Sequence, residues 1–355
     1  MPLKKSPWNE KKNVPEKSPQ NKVDRQETIA GSRLHDACRK GNLTRVKRIL
    51  SQSLVHLDMR EGNHGKTPLM VTAQEGHCRI FDFLITKGAN KLQVDNNGKN
   101  ILHWACKGGH VGMVDCLLPQ YGVNINDRYM PPLAQAAYQG YSDVVEFLVC
   151  MGADMSQTDS SGDSALHWAC KGGHLDIVKY LLSQCSVDIN YRGRGGQTPL
   201  MAATLWERTD VGQLLVSMGA NLSQVDDVGN NALHWVSKYG NLGLMESVLS
   251  QGSIDINRRG RYGRTPLMNA AYKGKTMVFD LLVSKGCLTH LVDDQGHNVL
   301  HLASLRGRVE IVKHILSQSM IDVNVRDKKG ETAAMLARHV GHFKVYDLLV
   351  SRAVR

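Results

Sequence analysis

The chain has 355 residues, of which 42% are hydrophobic, so it is long and apolar enough to bury a core. No run approaches the roughly 18 uninterrupted apolar residues of a membrane span, and no apolar stretch follows the charged amino terminus, which argues against membrane insertion and secretion. The 44 lysines and arginines exceed the 33 acids, and the net charge of +11 favours acidic partners.

Residues 1–30 differ in composition from the rest of the chain. They hold four prolines, seven basic and four acidic residues, and few apolar positions. This composition predicts a disordered basic leader. Ser6 and Ser18 each precede a proline and follow a lysine, so they are candidate sites for a proline-directed kinase; the alternative is a solvated leader without regulation.

The eight cysteines form no CxxC pair, and most lie in apolar, helix-like surroundings. Such spacing is typical of reduced thiols rather than of a disulfide framework. We therefore expect a cytoplasmic or nuclear protein.

A tetrapeptide recurs along the chain from residue 31 to the end. It reads TPLM at Thr67, Thr198 and Thr265, and it has related forms at Ser164, Asn231 and Asn298. From Leu34 to Ala334, nine steps cover 300 residues, a mean spacing of about 33. The period predicts a domain of ten repeats over residues 31–355.

The eighth copy shows how each repeat folds. Thr265 is a good N-cap, Pro266 suits the first helical position, and Gly274 ends the first helix at a point that favours positive φ. A second helix follows with Val278, Leu281 and Leu282 on one face, and a polar turn leads to the next copy. The prediction is a helix-turn-helix unit with a hairpin connection, whose apolar face is buried by stacking on its neighbours.

The repeat resembles the ankyrin-repeat family, because GDSALHWACKGGHLDIVKYLL from Gly162 nearly meets that family's pattern. The resemblance covers about nine-tenths of the chain. It implies an all-α solenoid of helix-turn-helix units joined by β-hairpin fingers. It specifies the fold strongly and the function weakly.

A second period of 67 residues relates alternate repeats, as Thr198 relates to Thr265 and Asn231 to Asn298. One repeat departs from the pattern. In the sixth copy Glu207 occupies the turn position that elsewhere holds glycine, so we expect a local irregularity near Trp206.

No arrangement of nucleophile, base and oxyanion donors interrupts the repeats, and no phosphate-binding glycine loop does so, so we predict no enzyme and no cofactor. The motif HWACKGGH, which starts at His103 and at His167, suggests zinc ligands. We predict no metal site, because a stacked helix pair would not bring four ligands into a tetrahedron. The family resemblance gives the first histidine a bracing role between repeats.

Two surface rows are candidates for partner binding. Family members bind partners with the hairpin fingers and with the exposed residues that end each first helix. The second row is basic with interleaved aromatics, which are favoured in binding hot spots. Its candidate contact residues are Lys107, Tyr138, Gln139, Lys171, Leu205, Trp206, Lys238, Tyr239, Tyr272 and Lys273; the row continues to Leu305 and Arg306 beyond its central part.

Two fingers are rich in arginine and stand two repeats apart, about 20 Å along a stacked array. The first contributes Tyr191, Arg192 and Arg194, and the second contributes Arg258, Arg259, Arg261, Tyr262 and Arg264. They suit an acidic segment or a phosphate backbone, and the alternative is that they are solvated turns.

Four asparagines, Asn126, Asn190, Asn257 and Asn324, follow a leucine by eight residues. This resembles the sites at which ankyrin repeats are hydroxylated by an asparaginyl hydroxylase. The same asparagines also suit hydrogen bonding within the turn.

These observations predict a monomeric, non-enzymatic scaffold or adaptor that presents a concave basic and aromatic surface to an acidic protein partner. The alternative is a polyanion or nucleic-acid binder that uses the arginine fingers, with binding that depends steeply on salt. A third hypothesis is that the protein is a spacer without a specific partner.

Overall fold

The computed structural model describes residues 19–52, 55–127, 130–239, 242–252, 254–318 and 320–353. The chain divides into two compact units, with the boundary between Tyr121 and Gly122. Among the described residues the fold is all-helical, with twenty helices that pair in sequence and no strand. This confirms the predicted fold class. None of these helices is both long and apolar enough to span a membrane.

The first unit holds three helix pairs. Its helices are α1 (Pro19–Arg39), α2 (Leu43–Gln52), α3 (Pro68–Gln74), α4 (Cys78–Thr86), α5 (Ile101–Gly108) and α6 (Val111–Tyr121). The prediction of disorder up to residue 30 is wrong for residues 19–30, because α1 begins at Pro19. Extending a helix that is already packed costs little compared with nucleating one, which accounts for the added turns.

The second unit holds seven helix pairs. Its first helices are α7 (Pro132–Gln139), α9 (Ala165–Gly172), α11 (Pro199–Leu205), α13 (Ala232–Tyr239), α15 (Pro266–Lys273), α17 (Val299–Leu305) and α19 (Ala333–Val340). Their partners are α8 (Ser142–Cys150), α10 (Leu175–Ser183), α12 (Thr209–Ser217), α14 (Leu242–Ser250), α16 (Thr276–Ser284), α18 (Val309–Ser317) and α20 (Phe343–Ala353).

The helices begin where the sequence predicts. Thr265 Oγ1 accepts a hydrogen bond from the backbone N–H of Met268, and Pro266 is the first helical residue of α15. Gly274 ends that helix at φ 81°. Glu207 adopts φ 56° at the corresponding point of the sixth repeat, the conformation that glycine takes there in other repeats, so the turn near Trp206 is regular and the expected irregularity does not form. A side chain in that region is strained by roughly 1 kcal/mol.

Histidines in alternate first helices join successive repeats. Within the second unit, His167 Nε2 lies 3.1 Å from the carbonyl oxygen of Gln197, and His301 Nε2 lies 3.3 Å from that of Glu331. The other ring nitrogen contacts the N-cap residue, as between His167 Nδ1 and Ser164 Oγ at 2.9 Å. The predicted bracing role is confirmed.

The connections between repeats are capped turns, and the expected β-hairpin strands do not form in the described residues. Three isolated antiparallel bridges occur, between residues 61 and 66, 158 and 164, and 326 and 332. Carboxylates take the backbone donors that a strand ladder would use: Asp226 Oδ1 accepts from the N–H groups of Val228 and Asn230. Such local side-chain bonds compete with strand pairing.

Candidate functional site

The second arginine finger, residues 257–264, connects α14 to α15. The backbone N–H of Gly260 donates to the carbonyl of Arg264 at 2.9 Å, and residues Arg261–Gly263 form a single 3₁₀ turn. Tyr262 lies at the tip with φ 60°, a left-handed conformation that a non-glycine residue rarely adopts. Its side chain is exposed, and its ring lies 4.7 Å from the guanidinium carbon of Arg261.

A cavity of about 270 Å³ lies between this finger and the carboxyl-terminal ends of α13 and α15. Its lining consists of cationic, aromatic and neutral polar side chains, with no aspartate or glutamate. The cations are Lys238, Arg261, Arg264, Lys273 and Arg306; the aromatic residues are Trp235, Tyr262 and Tyr272; the others are Asn230, His234 and Asn269.

Two arginines are held against the ring of Tyr272. The guanidinium carbons of Arg264 and Arg306 lie 4.6 and 4.3 Å from its ring centroid. The Arg306 guanidinium also donates to the Tyr272 hydroxyl, and Arg264 Nε lies 3.2 Å from the buried Asp293 Oδ2. The cation–π contacts and the ion pair restrict both side chains before any ligand arrives.

Two lysines border the cavity on its aromatic side. Lys238 Nζ lies 5.5 Å from the Trp235 ring and 5.2 Å from the Tyr239 ring, and Lys273 Nζ lies 5.9 Å from Tyr239. Trp235 stacks on Tyr239 and donates its indole N–H to Asp226 Oδ2 at 3.0 Å. The indole is therefore fixed in place.

The charged groups that line the cavity are its lysines and arginines, and the carboxylates of Asp226 and Asp293 lie behind the lining. Burial lowers the pKa of His234 to about 4, so this ring is neutral at neutral pH. Its Nδ1 lies 2.6 Å from Asn231 Oδ1 and its Nε2 lies 3.2 Å from the carbonyl oxygen of Arg264, so both nitrogens are engaged.

In the first arginine finger, residues 190–197, one of the two arginines is paired with an acid of the next turn. Arg192 Nη2 donates to Asp227 Oδ1 at 2.7 Å, and its Nη1 donates to the carbonyl of Val225 at 2.7 Å. Lys171 forms a hydrogen-bonded ion pair with Asp163, and both side chains are buried. Lys171 therefore does not belong to an accessible contact surface, contrary to the prediction, because the acid draws its ammonium group inward.

The other predicted contact residues are half-buried or exposed. Tyr138 packs edge-on against Trp168 and Trp206, with ring centroids 5.3 and 6.4 Å apart. Gln139 and Leu205 are half-buried, whereas Tyr191, Arg194, Arg258 and Arg259 are exposed. Lys107 belongs to the first unit, where its Nζ lies 4.8 Å from the Trp104 ring.

The four asparagines predicted as modification sites lie in the turns between repeats. Three bridge to the next turn: Asn126 Oδ1 accepts from the N–H of Asp154, Asn190 Oδ1 from Asn221 and Asn257 Oδ1 from Leu288. The predicted bonding within a turn is therefore corrected to bonding between turns. Asn324 donates its backbone N–H to Asp322 Oδ1 at 2.9 Å. Ser6 and Ser18 lie outside the described residues.

The sequence prediction missed several residues of the cavity. Asn230, Trp235 and Asn269 were not proposed, and Arg306 lies beyond the predicted centre of the row. The 67-residue period carried a usable signal, because Asn230 occupies the position that Asp163 holds one period earlier. That exchange removes an acid from beside Lys238.

Comparisons with known proteins identify the repeat. A family model of ankyrin repeats, which describes three copies, matches residues 34–129, 133–226, 214–290 and 274–355. The chain is similar to the E3 ubiquitin-protein ligase KEG of Arabidopsis thaliana, with 26% identity over 87% of this chain and 20% of the relative.

Two further relatives are named as a putative palmitoyltransferase and as a cation channel. The putative palmitoyltransferase ZDHHC13 of Danio rerio is 32% identical over 54% of this chain and 30% of its own length. The human transient receptor potential cation channel subfamily A member 1 is 27% identical over 90% of this chain and 33% of its own length. The chain thus spans a third or less of each of these relatives.

Proposed function

Because the chain belongs to the ankyrin-repeat family, we propose that it is a non-enzymatic protein-binding scaffold whose second arginine finger takes up an acidic segment of a partner protein. Ankyrin repeats generally mediate protein–protein interactions. The observation that carries the proposal is the cavity beside this finger, which five cations and three aromatic rings line without an acid.

The arrangement suits binding with little loss of entropy. Arg264 and Arg306 are fixed on Tyr272, and Trp235 is fixed by Asp226 and Tyr239. A partner carboxylate would meet side chains that are already ordered, so few rotamers remain to be frozen. Arginine, tyrosine and tryptophan are also the residues that dominate binding hot spots.

The alternative is a nucleic-acid or other polyanion binder, and the first finger counts against it. A phosphate backbone needs cations along a track, but Arg192 is tied to Asp227 and Lys171 to Asp163. The unpaired charge is concentrated at the second finger, which favours a short acidic segment.

The proposal also covers catalysis, oligomeric state and location in the cell. His234 is the histidine that lines the cavity, and both of its nitrogens are engaged, so it is not placed as a general base. The relatives that are named as enzymes match the chain over less than a third of their own length. We further propose a monomer in the cytoplasm or nucleus, in keeping with eight unpaired cysteines.

The test is selection of peptides from a random displayed library on the full chain, followed by affinity measurements. We expect the selected peptides to be rich in aspartate and glutamate. A variant with Lys238→Gln, Lys273→Gln and Arg306→Gln should lose about tenfold or more in affinity, because each lost charge-assisted bond contributes about 1 kcal/mol or more.

The matched control removes three charges elsewhere, with Lys179→Gln, Lys329→Gln and Lys344→Gln at exposed positions outside the cavity. It should bind as the wild type does. Peptides without acidic enrichment, or equal losses in both variants, would refute the site. Tighter binding to a single-stranded DNA oligonucleotide, with steep dependence on salt, would establish the polyanion alternative instead.

A further inference from the structure

The two arginine fingers balance their charge in different ways. At the first, Asp163 Oδ1 accepts a hydrogen bond from the backbone N–H of Arg194, and the same carboxylate pairs with the buried Lys171. At the second, Asn230 Oδ1 accepts the equivalent bond from Arg261 at 3.0 Å. Asparagine reproduces the backbone contact without a negative charge, so Lys238 has no internal counter-ion in the place where Lys171 has one.

We propose that the missing negative charge is supplied by a phosphorylated side chain in the partner's segment. This rests on the proposed function and specifies its ligand. Within the part of the chain that the structure describes, Arg264 is the one cavity cation with a carboxylate in ion-pair range. Lys238, Arg261, Lys273 and Arg306 are left for an incoming anion.

A phosphoryl group fits this imbalance better than a carboxylate does. It carries a charge of about −1.5 to −2 at neutral pH and presents three acceptor oxygens, whereas a carboxylate carries −1 and presents two. Coulomb attraction to the same four cations therefore nearly doubles. Guanidinium groups also match phosphate oxygens in pairs, and Arg306, one of these four cations, is already ordered on Tyr272.

The size of the cavity limits the ligand. At about 270 Å³ it is just below the range of roughly 300–1,000 Å³ for small-molecule sites, so it has room for a side chain with its phosphoryl group and not for a larger ligand. Trp235 and the exposed Tyr262 provide apolar surface beside the cations for the carbon atoms of that side chain. The rest of the segment would lie across the neighbouring repeats.

The experiment compares degenerate peptide pools on the full chain by fluorescence anisotropy. The pools differ only in one fixed central residue, which is phosphoserine, phosphotyrosine, glutamate or serine. At least one phosphorylated pool should bind about tenfold or more tightly than the glutamate pool. Inorganic phosphate should compete only weakly, because it lacks the flanking contacts.

The decisive variant is Asn230→Asp, which keeps every cation and restores the acid found at the first finger. The pair Asp159 and Asp163 shows that the repeat accommodates two acids here, since Asp159 receives the Trp168 indole N–H just as Asp226 receives that of Trp235. We expect this variant to fold normally, to pair Lys238 internally and to lose the preference for phosphate. Arg261→Gln should lower affinity, and its counterpart Arg194→Gln should not.

The outcomes separate this proposal from the one on which it rests. Equal binding of the glutamate and phosphorylated pools would overturn the phosphate specificity and leave the acidic-segment scaffold standing. Equal affinity for inorganic phosphate and the phosphorylated pools would overturn the peptide ligand. Failure of every pool to bind would overturn both. If Asn230→Asp lowers the unfolding midpoint, the site is tested instead by comparing the affinities of Arg261→Gln and Arg194→Gln.

Discussion

The two arginine fingers have the same backbone and opposite electrostatic arrangements. Each closes with a hydrogen bond between residues four apart, from Gly193 to Gln197 in the first and from Gly260 to Arg264 in the second. Each stacks on the next turn through one backbone bond: Asp227 donates to the carbonyl of Gly195, and Asp294 donates to that of Tyr262. The backbone structure is therefore the same in both fingers.

The differences include three side-chain exchanges at matched positions that line the cavity. Asp163 becomes Asn230, Gly195 becomes Tyr262 and Gln197 becomes Arg264. The first exchange removes an acid, the second adds an exposed ring on a strained residue, and the third adds a cation. The two copies thus share a fold, while the side chains of the second line the proposed binding site.

The largest effect on stability is expected from Asp163→Asn at the first finger. The substitution leaves the Lys171 ammonium buried without a counter-charge, which should lower the free energy of unfolding by about 3 kcal/mol. Urea unfolding of the variant and the wild type measures the change. The double variant Asp163→Asn with Lys171→Met should recover most of the loss, and full stability of the single variant would contradict the assigned role of the pair.

Exchanging the residue types at positions 195 and 262 should have a smaller effect on stability, which differs between the two fingers. Gly195→Tyr places a side chain at φ 64° and should destabilise by about 1 kcal/mol. Tyr262→Gly relieves the same strain but adds freedom to the unfolded chain, so its net effect should lie within about 1 kcal/mol of zero. Thermal unfolding of both variants tests this.

A loss of stability in Tyr262→Gly much beyond that range would show that the ring supports the fold. Affinity for the selected peptides should fall in Tyr262→Gly and remain unchanged in Gly195→Tyr. Strain that persists at an exposed residue is expected where the residue contacts a ligand.

The sequence predicted the repeats well because stacking constrains them. Caps such as Thr265, glycines such as Gly274 and the bracing histidines recur at a fixed spacing, and the structure places them as expected. Residues 19–30 were mispredicted, since composition alone does not reveal that a helix extends from a packed segment.

The candidate site was predicted only in part. The row and the fingers supplied Lys238, Arg261, Tyr262, Arg264, Tyr272 and Lys273, yet whether the charge of a lysine is paired depends on a partner that a surface row does not contain. Lys171 and Lys238 occupy equivalent positions in the sequence. Only the geometry shows that Asp163 pairs with one of them and that Asn230 leaves the other available.

The smallest expected effect is a pH dependence that belongs to the second finger alone. His297 Nδ1 lies 3.5 Å from Asp293 Oδ2 and its Nε2 lies 3.2 Å from Asp327 Oδ2, while Asp293 also holds Arg264. Contact with Asp293 raises the pKa of His297 against the opposing effect of burial. Burial raises the pKa of Asp293, but its bonds with His297 and with backbone N–H groups outweigh this and lower the pKa to about 2.

The direction in which stability changes with pH follows from these two pKa shifts. A raised histidine pKa stabilises the fold below pH 6.5, and this stabilisation disappears as the pH rises through the raised value. The contribution of Asp293 is present above about pH 4 and is lost only towards pH 2. His297→Gln should therefore cost about 1 kcal/mol at pH 5 and less at pH 9, measured by urea unfolding. The exposed His290→Gln is the control, and a cost that does not change with pH would show that His297 is uncharged and that Asp293 holds Arg264 without its help.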